Sequence, residues 1–144
     1  MLFLDAQASG ATPDQGPLLE VGWAPLDGAV RTHLVALPAG ATIPPRVREL
    51  TGLDEAALAG AGSAEDAWRA LCADAAELGG RALLVIHFAV FEKRFLLDLH
   101  RRFGEGPFPF DVVCTHEIAR RLLPDLPRRG LRALAGYFGW NVGN

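Results

Sequence analysis

The residue pattern predicts a mixed α/β domain, a five-stranded sheet in which three antiparallel strands lead into αβ units and helices pack on the sheet. Two observations carry this reading. The N-terminal stretch holds three short apolar runs joined by turn-rich links, as in a meander. The remainder alternates strand-like and helix-like segments, and its run Ala82–Ile86 is apolar throughout, as in a strand covered on both faces. A chain of 144 residues suits one domain over 1–144 with a real core.

Met1–Asp5 reads as a short buried strand that ends on an acid. Ala6–Gly16, with Gly10, Pro13, Asp14 and Gly16, reads as a loop. Leu18–Pro25 is the second strand, and the tight-turn pair Asp27-Gly28 leads into a third over Val30–Leu37. Pro44 and Pro45 open a short helix through Leu50, stopped by Gly52. Asp54 caps a turn over Glu55–Leu58. Ser63 and Asp66 form a capping box for a helix from Ala64 to Leu78, with Ala67, Trp68, Leu71, Cys72 and Ala75 on its inner face. Gly79-Gly80 ends that helix, and Ala82–Ile86 follows as the fourth strand. His87-Phe88-Ala89-Val90 leads into a helix over Phe91–Phe103, with Phe91, Phe95, Leu96 and Leu99 inward. The fifth strand is Phe110–Cys114. A helix through Leu123, a linker over Pro124–Gly130 and a helix over Leu131–Phe138 complete the order.

No apolar run reaches the roughly 18–20 residues of a membrane span, and the start lacks the positive flank of a signal peptide. The expectation is a cytoplasmic protein with no membrane partner. Cys72 and Cys114 are far apart and match no metal spacing, so they read as small buried hydrophobes. The net charge of −3 marks no general polyanion binder. Yet Lys93, Arg94, Arg101, Arg102, Arg120, Arg121, Arg128, Arg129 and Arg132, nine of the 14 basic residues, fall between 93 and 132. They serve either as a face for phosphate or as solvated helix surfaces.

Ligands of open α/β sheets gather beyond the carboxyl ends of central strands. Asp5 ends the first strand, and Glu92 lies in the first turn after the fourth. If those strands are parallel neighbours, the two carboxylates share a small volume and repel unless a cation sits between them. Hard oxygen ligands suit Mg²⁺ or Mn²⁺, and a pair of such ions assists phosphodiester hydrolysis. The plainer alternative has Glu92 complementing a helix N-terminus and Asp5 capping the following turn.

Five segments, in order, resemble motifs of the DEDDh 3′–5′ exonucleases, relatives of the epsilon subunit of DNA polymerase III with a ribonuclease H-like fold. Asp5-Ala6-Gln7-Ala8-Ser9-Gly10 is similar to the family's Asp-x-Glu-Thr-Thr-Gly, and Leu18-Leu19-Glu20-Val21-Gly22 to the strand after it. Leu50-Thr51-Gly52-Leu53 resembles its Thr-Gly-Ile segment. His87-Phe88-Ala89-Val90-Phe91-Glu92-Lys93-Arg94-Phe95-Leu96 resembles His-Asn-x-x-Phe-Asp-x-x-Phe-Leu, and Asp111 to Pro124 loosely matches a later segment.

The resemblance implies two-metal phosphodiester hydrolysis at the 3′ end of single-stranded DNA or RNA. The catalytic positions are Asp5, Gln7 and Glu92, with Asp5 and Glu92 as ligands of Mg²⁺ or Mn²⁺. Substrate contacts fall to Ala8, Ser9, Gly10, Thr51, His87 and Phe91. Three departures bear on this. Gln7 stands where the family has a Glu, Glu92 where it has an Asp, and Phe88 where it has an Asn. The family's third motif, a His followed by an Asp on a last helix, would begin after Tyr137-Phe138-Gly139-Trp140-Asn141-Val142-Gly143-Asn144. The expectation is a domain without that helix, its bare surface covered by a second copy or a partner chain. Turnover is expected to be weak or absent. A non-catalytic nucleic-acid-binding or protein-interaction module on the same fold is the alternative.

Overall fold

Strict alternation gives the first strand, β1 (Leu2–Ala8), two unlike faces. Leu2, Leu4 and Ala6 are buried, whereas Phe3 and Asp5 are exposed and Gln7 is half-buried. The structure is a computed structural model that describes residues 1–140. β1 lies at the centre of a five-stranded sheet with β2 (Leu18–Pro25), β3 (Arg31–Leu34), β4 (Ala82–Ile86) and β5 (Phe110–Cys114), in the order β3-β2-β1-β4-β5. β2 is antiparallel to both of its neighbours, β1 and β3. β4 then pairs parallel with β1, Leu2↔Leu84 through Leu4↔Ile86, and β5 pairs parallel with β4. The mixed sheet expected from the sequence is therefore present.

Five helices accompany it: α1 (Pro45–Thr51), α2 (Ala64–Glu77), α3 (Val90–Phe103), α4 (Thr115–Leu122) and α5 (Leu131–Tyr137). Pro45 supplies a preset φ at the start of α1, and Gly52 closes it in the left-handed region at φ +73°. The Ser63–Asp66 capping box starts α2, each side chain meeting the other's backbone N–H at 3.0 Å. Leu4, Leu84 and Ile86 of the sheet are buried in one cluster with Trp68 and Leu71 of α2 and Phe95, Leu96 and Leu99 of α3. At the far edge, the Trp23 indole and the Arg31 guanidinium both donate to the Asp74 carboxylate, at 2.7 and 2.8 Å, and so tie β2 and β3 to α2.

Several boundaries differ from the sequence expectation. β1 runs three residues beyond Asp5, because Gln7 and Ala8 pair with Glu20 and Leu18 across a register irregularity. Asp5 is thus in mid-strand and exposed, not buried at a strand end. β3 stops at Leu34, and Val35 makes only an isolated bridge to Gly62. The helices ending at Leu122 and Tyr137 are each one residue shorter than expected. Cys72 and Cys114 are free thiols and half-buried rather than fully buried. Residues 141–144, which lead toward the expected third motif, lie outside the described residues. Among the described residues no helix is long and apolar enough to cross a membrane.

Candidate active site

Parallel pairing of β1 and β4 brings the two acids singled out by sequence to one end of the sheet. Asp5 follows Leu4, whose partner Ile86 is followed by the turn into α3, and Glu92 sits in the first turn of that helix. Asp5 lies in solvent, while Glu92 is only 4% exposed, and its Oε2 has no hydrogen-bond partner. Burial pushes the Glu92 carboxyl up to about 7; its own backbone N–H opposes this and the Asp5 charge adds to it. The pair is therefore electrostatically strained in the way a shared cation relieves.

Gln7 returns to the same face of β1 as Asp5. Its Nε2 donates to Asp5 Oδ2 at 3.3 Å. A carboxylate at this position would repel Asp5, whereas the amide satisfies it without any ion. Among the described residues no group of three His, Cys, Asp or Glu side chains converges as a metal site. The orphaned oxygen of Glu92 and the Asp5 carboxylate, whose charge acts on it, are the groups that could hold a hard divalent cation. The Gln7 carboxamide would join them only by turning its oxygen from its present bond.

The other substrate positions expected from sequence divide. Ser9 is buried at the end of β1, and its N–H donates to the Pro17 carbonyl at 3.0 Å, closing the loop. Gly10 lies against Gly16 so closely that a Cβ there would meet Gly16 N at 2.6 Å. Ala8 is at the register irregularity, so residues 8–10 form one tight corner beside Asp5 and Gln7. Phe91 packs on Phe95 with ring centroids 5.1 Å apart, at the margin of the core. Thr51 is occupied locally, its hydroxyl donating to the Val47 carbonyl at 2.8 Å and accepting from the Leu53 N–H at 3.1 Å.

His87 ends the β4 connection. His87 Nδ1 and the Thr115 hydroxyl are hydrogen-bonded at 2.9 Å, and the same hydroxyl lies 3.4 Å from the Ile86 carbonyl. Burial holds the imidazole below its usual pKa, as does His116, while the Arg129 backbone opposes them. Its other nitrogen, Nε2, is buried and makes no hydrogen bond of good geometry.

The sequence did not single out the neighbours Phe88 and His116 as functional. Phe88 takes φ +67°, and its ring lies on His116 with centroids 4.0 Å apart. The available signal was the Asn of the similar motif, a residue that tolerates the left-handed region as Phe does not. The basic stretch is also partly self-neutralised: Arg101 and Arg102 pair with Asp98, and Arg120 pairs with Glu117.

The sheet order and the parallel β1–β4 pair define a domain of ribonuclease H-like architecture. It is similar to the DEDDh 3′–5′ exonucleases. The chain is 24% identical over 143 residues to the DNA polymerase III subunit epsilon of Aquifex aeolicus (strain VF5), covering 98% of this chain and 69% of that protein. No family model matches it. Among solved structures, exonuclease X in complex with 5′ overhanging duplex DNA superposes with a TM-score of 0.70 at 22% identity, over 99% of this chain and 75% of that one. E. coli exonuclease I in complex with a dT13 oligonucleotide superposes with a TM-score of 0.79 at 12% identity, over 99% of this chain and 36% of that one. The chain thus spans little more than a third of exonuclease I.

Proposed function

We propose that this domain holds the 3′ end of single-stranded DNA or RNA and hydrolyses it slowly or not at all. The amide of Gln7 bonded to Asp5, where the similar motif has a second carboxylate, carries this reading. Asp5 and Glu92 are the residues that would hold Mg²⁺ or Mn²⁺. When bound, the ion supplies charge stabilisation and activates water for attack on phosphorus. The corner at Ala8, Ser9 and Gly10 offers a close main-chain approach to the strand end, and Thr51, His87 and Phe91 complete the substrate positions. The two unpaired thiols fit a reducing, cytoplasmic setting.

The test uses a 5′-labelled single-stranded oligonucleotide with Mn²⁺ at low salt. Retention of the strand is expected, with at most slow loss of 3′ nucleotides, and Asp5→Ala removes whatever loss there is. Rapid metal-dependent shortening that vanishes in Asp5→Ala would overturn the weak-site reading. Absence of binding at low salt would overturn the nucleic-acid reading itself.

A second copy of the chain is the partner we propose for the C-terminal surface. Leu122, Leu131, Tyr137, Phe138 and Trp140 are all more than half exposed, and exposed apolar side chains that adjoin one another favour association. Light scattering is expected to show a mass that rises with concentration, and Leu122→Lys to hold it at the monomer. A concentration-independent monomer mass for the unaltered protein would exclude the dimer.

A further inference from the structure

We infer that Phe88, supported from beneath by His116, is a stacking platform for a nucleobase beside the carboxylate pair. The inference rests on the nucleic-acid reading above and deepens it. Phe88 is the only non-glycine residue with positive φ among the described residues. An L-residue with a bulky side chain enters that region at a cost. The cost is not offset by core burial, because the residue is 55% exposed. What the backbone achieves is placement. The turn is closed by Phe91 N–H donating to the Phe88 carbonyl at 3.1 Å, and the ring lies on His116 at 34° between planes. His87 meets the same ring edge-on at 5.9 Å and is itself anchored to Thr115. The aromatic face is therefore held in position while its outer side stays open to solvent.

Position favours a base over any other flat group. Ile86 pairs with Leu4, so Phe88, just past the end of β4, lies beside the stretch of β1 that carries Asp5, and Glu92 follows Phe88 by one helical turn. A phosphodiester presented to the carboxylates would carry its base or the next one past this ring. Single-stranded chains are gripped by such aromatic faces combined with positive charge along the backbone. Arg121 on α4 and Arg128 in the loop that reaches His87 are exposed and have no carboxylate partner among the described residues.

The experiment titrates an oligo(dT) carrying 2-aminopurine at the 3′-terminal or the penultimate position, in EDTA at low salt. The unaltered protein is expected to bind and to quench one of the two probes. Phe88→Gly, which also relieves the positive φ, is expected to lose the quench and bind about tenfold more weakly, about 1.4 kcal/mol, while melting no lower. Phe88→Asn should behave likewise, and Phe88→Trp should keep both quench and affinity. Unchanged quench and affinity in Phe88→Gly and Phe88→Asn would overturn the platform while leaving strand binding intact. Failure of the unaltered protein to bind either probe would instead overturn the nucleic-acid reading on which it rests.

Discussion

Gln7→Glu is expected to make the protein less stable in EDTA, more stable in Mn²⁺, and a faster nuclease. The amide now donates to Asp5 at 3.3 Å. Its replacement sets a second negative charge at that distance, with the buried Glu92 close behind. Two unit charges about 4 Å apart cost about 1 kcal/mol in water and about 4 kcal/mol near a protein surface. Asp5 is exposed, so the lower part of that range applies, about 1–2 kcal/mol. A divalent cation reverses the sign, since three carboxylates then converge on it. At a hundredfold excess over its Kd, a ligand adds about 2.7 kcal/mol to stability. Hydrolysis should gain on the order of 100-fold if the added carboxylate contributes about 3 kcal/mol of charge stabilisation through the ion. Thermal melts with and without Mn²⁺, paired with an oligonucleotide assay, read both effects. A variant whose melting temperature ignores Mn²⁺ would show that Gln7 does not face the cation position.

Much of the fold was legible because its signals are local. Ala82–Ile86 is continuously apolar and is a strand with those limits; the Ser63–Asp66 pair announces α2 and does cap it. The C-terminal part of β1 was illegible for the opposite reason. Ala6-Gln7-Ala8 has no β-branched residue, and pairing with β2 makes it a strand despite its composition. That extension turned the reading of Asp5 from a buried strand end to an exposed mid-strand position. The convergence of Asp5 with Glu92 followed from a conditional, that the first and fourth strands are parallel neighbours, which the register satisfies. What no pattern could supply is the depth of Glu92 and its unpaired oxygen, since these depend on how the turn at Phe88 sets α3 against the sheet. The conformation of Phe88 was hidden for a related reason, because residue preference argues against it and only the surrounding contacts hold it.

Glu92→Gln is expected to raise stability at about pH 8 and change it little near pH 4.5, in metal-free buffer. The Glu92 carboxyl titrates at about 7 in the folded chain against an ordinary value of 4.5. The folded state therefore holds this proton where the unfolded state has lost it. Stability must fall as pH rises from about 4.5 to 7, then level off. The displacement corresponds to about 3 kcal/mol, and a buried amide recovers about 2–3 kcal/mol of it, on the order of 5–10 °C in melting temperature. A pH-stability profile of the variant should accordingly be flatter across that window than that of the unaltered protein. Identical profiles would mean that Glu92 ionises freely and is not strained. A divalent cation supplies the complementary check, because it binds the ionised carboxylate. Added Mn²⁺ should restore stability to the unaltered protein above pH 7, should release a proton on binding somewhat below pH 7, where the carboxyl is still largely protonated, and should do neither in Glu92→Gln. Burial of an acid next to Asp5 thus costs stability in the empty site, and the same burial makes the site responsive to a cation.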